Sequence, residues 1–180
     1  MNTQTSFTVL ANIATGLLCL VFLRALLHKL SSFDSFVGVV RDYRLVSRPR
    51  LFALALITVE ALTLVGLVWP RTRESAAMLA MSLLALYVVA IAVNLKRGRT
   101  TIDCGCGGGG QGISGLHIVR NVMLIGLAAP VLWFDSLVQV QLGTSLANVS
   151  CVLVLWLTFL AFDQLLDNRM HAVASAHSTL

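Results

Sequence analysis

Five apolar stretches, separated by short polar connections, dominate the chain: residues 7–27, 51–69, 76–95, 118–134 and 146–166. A helix needs about 17 to 25 predominantly apolar residues to cross roughly 30 Å of hydrocarbon, and each stretch meets that requirement. Asp163 lies near the end of the fifth stretch, so four spans with a peripheral tail helix is the alternative. The pattern predicts an all-α integral membrane protein, one domain over residues 1–180 built as a bundle of four to five transmembrane helices.

A different pattern follows the first span, over residues 31–48. Apolar and polar residues alternate there at helical spacing, with Phe33, Phe36, Val37 and Val40 on one stripe. An amphipathic segment of this kind is typical of a helix that lies along the membrane interface rather than crossing it. We expect this interfacial helix to end before Pro49, which cannot continue a helix.

Composition supports a bilayer as the solvent. Apolar residues make up 57% of the chain and charged residues only 12%, which is outside the range of ordinary soluble domains. The first span is expected to remain in the mature chain, because no Lys or Arg precedes it and no small-x-small cleavage site follows it. The net charge of +5 is explained by membrane topology and attraction to anionic lipid, and no aromatic-interleaved basic surface suggests nucleic acid.

The distribution of Lys and Arg predicts the orientation, since positive loops stay on the cytoplasmic side. The segment before the first span and the fourth connection have none, and the second connection has only Arg71 and Arg73. The first and third connections carry eight: Lys29, Arg41, Arg44, Arg48, Arg50, Lys96, Arg97 and Arg99. We therefore expect the N-terminus outside, the C-terminus inside, and the third connection, residues 96–117, at the cytoplasmic face.

That third connection carries the most specific motif, Cys104-Gly105-Cys106, followed by a glycine-rich run. Two thiols one residue apart can form a small, strained disulfide, which is easily reduced and suits exchange better than scaffolding. A stable loop staple is one alternative. A zinc site is another, but it needs four ligands, so His28 and His117 would have to converge on the pair. Cys19 and Cys151 are predicted to be buried apolar residues at different depths.

The charged residues around the cysteine pair favour redox exchange. We therefore predict that the third connection, residues 96–117, is a redox loop. Thiolates form more readily beside positive charge, and Lys96, Arg97 and Arg99 precede the pair while His117 and Arg120 follow it. Asp103 acts in the opposite sense or serves as a proton acceptor. The same cations also serve as topology signals.

Glu60 is the second conspicuous residue, since it falls near the middle of the second span. An ionisable group at that depth is a functional hypothesis that needs a partner, and Arg24 and His28, four residues apart on one helix face, are the predicted partners. Further polar groups are expected at the same level and complete a predicted polar cluster: Asn94, Arg120 and Asn121. The alternatives are a hydrogen-bonded group joining helices, or a proton, quinone or partner-related role.

These residues resemble the MauE family of methylamine utilisation membrane proteins, which is related to the wider DoxX-like group. The resemblance covers about residues 10–135 and rests on the following segments: Phe22-Leu23-Arg24, His28-Lys29-Leu30, Asp42-Tyr43-Arg44, Glu60, the block from Asn94 to Gly107, Ser114 and Val119-Arg120-Asn121. One departure is Pro49, which is displaced slightly from the family position after the D-Y-R-L segment. A second is Gly108-Gly109-Gly110, which lengthens the loop.

The resemblance implies a protein of the bacterial inner (plasma) membrane that matures methylamine dehydrogenase, whose small subunit is dense in disulfides. The implied partners are a thioredoxin-like periplasmic protein of the MauD type and the precursor of that small subunit. No resident cofactor is expected. Two rivals stay open: a non-enzymatic scaffold that docks these partners, and, from the DoxX-like group, a quinone-linked oxidoreductase subunit with Glu60 near the quinone.

Overall fold

The structure is a computed structural model. It describes the backbone of residues 3–103, 105, 112–133 and 142–177, and the side chains of 6–103, 105, 112–132 and 146–165. Six α-helices occur in the described backbone: α1 (Thr3–Ser31), α2 (Phe33–Asp42), α3 (Pro49–Val68), α4 (Arg73–Lys96), α5 (Gly115–Trp133) and α6 (Leu142–His177). A 3₁₀ turn at Pro70–Thr72 joins α3 to α4.

All the helices except α2 are long and apolar enough to cross a membrane. The predicted all-α integral membrane fold is therefore confirmed, with five candidate spans rather than four. The fifth, Leu146–Leu165, is part of the continuous helix α6 and includes Asp163. The charge at that position does not interrupt the helix, because its side chain has partners inside the bundle.

Four of the long helices form a closed ring in which α1 contacts α3, α3 contacts α4, α4 contacts α5, and α5 contacts α1. Helix α6 packs against α1 from outside the ring. Fully buried alanines lie along all four ring helices and let the backbones approach closely, as small residues do in membrane bundles: Ala14, Ala53, Ala77, Ala80 and Ala128. The bundle therefore brings polar side chains from neighbouring helices within direct contact.

The outward faces of the long helices are also apolar. Leu62, Val65 and Met123 are each more than 60% exposed, and Leu153 and Val154 on α6 are similarly outward-facing. A helix that is apolar on both its packed and its outer face suits a protein surrounded by lipid. Polar residues inside the ring therefore stand out as exceptions that need a physical reason.

Helix α2 is the amphipathic helix of the first connection, and it lies against α3. Its buried side chains are Phe36, Val37 and Val40, which belong to the apolar stripe seen in the sequence. The helix ends at Asp42, earlier than the 31–48 segment suggested, and Arg44 adopts a left-handed conformation with φ 49°. Pro49 does not terminate α2 but is the first residue of α3, where the missing N–H costs nothing.

Candidate functional site

Cys104 and Cys106 lie outside the described residues, but Gly105 between them is described. Gly105 is buried, and a Cβ added there would lie 3.2 Å from Val39 Cγ1 and 3.4 Å from Phe36 Cε2, both on α2. Its φ of +70° is a conformation that glycine adopts without a steric penalty. Its N–H donates to Asp103 Oδ1 at 2.9 Å. Asp103 therefore orders the turn at this glycine, a role that the sequence did not assign to it.

The two ends of the Cys-containing loop are held together. Asp103 forms an antiparallel bridge with Gly112, and the Ile113 N–H donates to the Ile102 carbonyl at 2.9 Å. Ile113 is buried with Tyr43 and Ile91, which fastens this base to the bundle. The loop is thus anchored between the ends of α2, α4 and α5.

Arg99 also helps to place the loop. Its Nη1 donates to the Asp42 carbonyl at 3.2 Å, which ties the third connection to the end of α2. Lys96 and Arg97, by contrast, are exposed. Of the three cations that precede the cysteines in sequence, Arg99 therefore makes a defined contact with α2.

Glu60 is 1% exposed, and its Oε1 accepts hydrogen bonds from Lys29 Nζ and the Tyr87 hydroxyl. Lys29 Nζ also lies 3.3 Å from the Tyr87 hydroxyl oxygen. The ammonium sits 5.1 Å from the ring centroids of both Phe36 and Tyr87, within cation–π range. These four residues, which we call the Glu60 cluster, join α1, α2, α3 and α4 around one buried ion pair.

The predicted partners of Glu60 were wrong. Arg24 pairs with a different carboxylate, and His28 is exposed on the outside of α1. Lys29, which the sequence suggested was a topology signal, is 2% exposed and takes the place assigned to them. Five residues separate Arg24 from Lys29, so their side chains leave α1 about 140° apart and meet different neighbours.

Asp163 on α6 is the second buried carboxylate. Its Oδ2 accepts from Arg24 Nη1 at 2.7 Å, and its Oδ1 accepts from Arg120 Nη1. Arg120 and Asp163 are largely buried, whereas the Arg24 side chain is 33% exposed. This Asp163 cluster joins α6 to α1 and α5.

A cavity of about 40 Å³ lies between the two clusters. It is lined by members of both, namely Glu60, Lys29, Tyr87, Arg24, Arg120 and Asp163, together with Asn121 and apolar side chains. The structure therefore brings Arg24, Glu60, Arg120 and Asn121 of the predicted polar cluster around one space.

The other predicted polar residues make mainly local contacts. Asn94 Nδ2 donates to the Ala90 carbonyl at 3.0 Å, and Asn121 Nδ2 donates to the His117 carbonyl at 2.7 Å. His117 Nδ1 lies 2.9 Å from the Ser114 hydroxyl at the start of α5. Among the described residues, no group of three His, Cys, Asp or Glu side chains could hold a metal ion. His28 is exposed and His117 is buried, and the two cysteines of the zinc alternative lie outside the described residues.

A larger apolar cleft of about 280 Å³ lies between α2, α3 and α4. Its lining includes Phe36, Val39, Leu56 and Leu86, and the Tyr87 side chain lines both this cleft and the smaller polar cavity. Gly105 rests on Phe36 and Val39 at the edge of the same cleft. Tyr87 is thus a residue that sequence reasoning missed, because a tyrosine within an apolar span gives no signal of the partner it will meet.

The comparisons with known proteins agree on one protein family. Residues 7–134 match the family model for methylamine utilisation protein MauE. The chain is 42% identical over 118 residues to the MauE of Paracoccus denitrificans, covering 63% of each chain, and 41% identical over 129 residues to that of Methylorubrum extorquens, covering 69% of each. It is 31% identical to the MauE of Methylophilus methylotrophus over 91% of this chain and 89% of that protein. No solved structure matches. The chain belongs to the MauE family of methylamine utilisation proteins.

Proposed function

We propose that this protein is a membrane thiol–disulfide exchange protein required for disulfide formation or isomerisation in the small subunit of methylamine dehydrogenase. It acts with a thioredoxin-like periplasmic partner of the MauD type and with the precursor of that subunit. Because the Lys and Arg distribution predicts a cytoplasmic loop, the two cysteines accept reducing equivalents on one side of the membrane and hand them across by thiol–disulfide exchange. Cys104 and Cys106 are the reacting residues. The proposal rests on a Cys-x-Cys motif in a loop whose base is anchored to the bundle, with Gly105 packed against α2.

The exchange involves only this protein and its partner, because the two electrons that one loses are gained by the other. The Cys104 thiolate attacks a disulfide of the partner, forming a mixed disulfide and releasing one partner thiolate. The Cys106 thiolate then attacks Cys104 Sγ, which releases the partner as a dithiol and leaves a Cys104–Cys106 disulfide. Two electrons have moved to the partner, and the reverse sequence oxidises it.

Anchoring supports this assignment on physical grounds. The Asp103–Gly112 bridge closes the base of the loop, and the buried Ile113 holds that base between α2, α4 and α5. A base fixed at its described residues favours docking of one partner in a defined orientation. Lys96 and Arg97, which precede the pair in the sequence, are exposed, and positive charge near a thiol favours the thiolate.

The test uses a host that lacks its own copy of the gene and is grown on another carbon source with methylamine as inducer. Cys104→Ser and Cys106→Ser are each expected to abolish accumulation of the disulfide-bonded small subunit, while Cys151→Ser on α6 leaves it unchanged. The amount of membrane-inserted protein is measured alongside by immunoblot. Normal maturation with both serine variants would contradict the exchange function and favour the scaffold.

The apolar cleft favours a second candidate, a quinone-linked oxidoreductase. A cleft of about 280 Å³ with apolar walls suits a single substituted ring, and Tyr87, which contacts Glu60, lines one part of it. Phe36, Val39 and Leu56 would contact the ring.

Binding of a short-chain quinone to the protein in nanodiscs, measured by equilibrium dialysis, tests this candidate. Leu86→Trp fills the mouth of the cleft and is expected to abolish binding. Leu54→Trp, on the exposed face of α3 and outside the cleft, is the matched control. Equal binding by both variants would show that the cleft is not the site.

A further inference from the structure

The cavity between the two clusters is bordered by an unusual set of charges for the interior of a membrane bundle. Each helix that lines the cavity contributes a titratable or charged group: Arg24 and Lys29 from α1, Glu60 from α3, Tyr87 from α4, Arg120 from α5 and Asp163 from α6. Three cations face two carboxylates. Charged groups are costly to bury inside a membrane protein. Holding helices together would not by itself explain so many of them around one cavity.

Glu60 has one oxygen left for that space. Both hydrogen bonds from Lys29 and Tyr87 go to Oε1, and within the described part of the chain no donor reaches the buried Oε2. A buried carboxylate oxygen without a donor is costly, so water is the expected partner. The Lys29 ion pair therefore satisfies only half of the carboxylate.

The cavity is large enough for water. About 10–15 Å³ of such volume accommodates one molecule, so a space of about 40 Å³ holds two or three. Each would have several polar neighbours, since Glu60, Asn121 and Asp163 all line the walls. Empty cavities in proteins are apolar, and this one is bordered by five charged side chains.

Exposure rises steadily from Glu60 to the edge of the bundle. The side chains of Glu60 and Asp163 are 1% and 7% exposed, and that of Arg24 is 33% exposed. Arg24 donates to Asp163, so the Asp163 cluster connects the cavity to the outside of the ring between α1 and α6. Polar side chains therefore border the cavity from the partly exposed Arg24 to the buried Glu60.

We propose that Glu60 is an exchangeable proton site, reached from the Arg24 side of the bundle through a water-filled cavity. A proton taken from bulk water passes along the cavity water to Glu60 Oε2 and converts the carboxylate to the acid. The cavity then loses one negative charge, and Lys29 keeps its cation–π contacts with Phe36 and Tyr87. The return of the proton restores the ion pair, with no electron transfer.

A hydrophobic carbodiimide tests this directly, because it modifies a carboxyl group only in its protonated form. The full-length protein in nanodiscs is treated over a range of pH, and the adduct on Glu60 is measured by mass spectrometry. We expect labelling of Glu60 that increases as pH falls. Lys29→Gln should raise labelling several-fold at neutral pH, because the acid form no longer competes with an ion pair.

A pair of matched variants tests the route. Ala25 lines the cavity, and Ala25→Val adds two methyl groups to it; Ala55→Val makes the same change on the exposed face of α3. We expect Ala25→Val to slow labelling several-fold while Ala55→Val leaves it unchanged. Equal rates in the two variants would overturn the route. No labelling of Glu60 at any pH in the wild type, with labelling in Lys29→Gln, would show a locked structural pair and overturn the proposal.

This proposal is separate from the thiol chemistry. Labelling of Glu60 can be measured in Cys104→Ser as well as in the wild type, and the same result is expected in both. Failure of the exchange function therefore leaves the proton site intact, and failure of the proton site leaves the exchange function intact.

Discussion

The two buried carboxylates of the bundle are held in different ways. Glu60 lies inside the four-helix ring with one cation and a tyrosine hydroxyl, and both hydrogen bonds that it accepts within the described residues go to a single oxygen. Asp163 lies on the peripheral helix α6, and each of its oxygens meets a different arginine. Asp163 is thus doubly neutralised, whereas Glu60 keeps one oxygen available.

This difference indicates different roles. Asp163 attaches α6 to the ring, since the membrane-spanning part of that helix buries few residues of its own. Glu60 joins α1, α3 and α4 but leaves part of its hydrogen-bonding capacity for exchange. In a membrane, a fully paired carboxylate is a structural contact, and a half-paired one at a cavity is suited to protonation.

The largest effect is expected from Lys29→Met. Removing one partner of a buried ion pair leaves an uncompensated charge and typically costs about 3–5 kcal/mol. We expect a loss of that order in the free energy of unfolding, measured by denaturant titration in mixed micelles. The double variant Lys29→Met with Glu60→Gln should recover most of the loss, because no isolated charge remains. A single variant as stable as the wild type would contradict the role of this pair.

Asp163→Asn should cost less, about 2 kcal/mol, because the asparagine oxygen can still accept from the buried Arg120 and Arg24 can turn its charged end towards the membrane interface. The loss should be local. Hydrogen exchange is expected to accelerate in α6 and to remain unchanged in the helix pair α3 and α4. Uniform acceleration across all helices would show that α6 is integral to the ring.

Tyr87→Phe should have a smaller effect, since it removes one hydrogen bond to a charged group, worth about 1.5 kcal/mol. The ring face that contacts Lys29 remains. The same unfolding titration measures it. An effect as large as that of Lys29→Met would mean that the hydroxyl, rather than the ion pair, dominates the cluster.

Gly105→Ala is expected to have the smallest effect on global stability, about 1 kcal/mol, from the left-handed conformation. Gly98 has a similar φ of +71° but no atom within 4 Å of an added Cβ, so Gly98→Ala is the matched control. Only Gly105→Ala should displace the loop from α2, and the Ile113 amide should then exchange faster. Equal exchange in both variants would argue against packing of Gly105 on Phe36 and Val39.

The fold could be predicted from the sequence because the bilayer imposes a simple length and polarity requirement on every span. The depth of Glu60 was predictable for the same reason. Its partner was not, because Arg24, His28 and Lys29 lie at similar depths and only the packing of α1 against α3 decides which side chain enters the ring. From the sequence, Asp163 raised only a question about the depth of α6. Its two arginine partners could not be predicted, because they come from helices distant in sequence.

Cys104 and Cys106 are proposed to react with a partner by thiol–disulfide exchange. Thiol trapping tests it most directly, with a membrane-impermeant maleimide applied to intact cells and to inverted vesicles, before and after reduction, in a Cys19→Ala, Cys151→Ala background. We predict labelling that appears only after reduction and whose accessible side changes with redox state. Thiols that stay reduced and are labelled from one side under every condition would contradict the account.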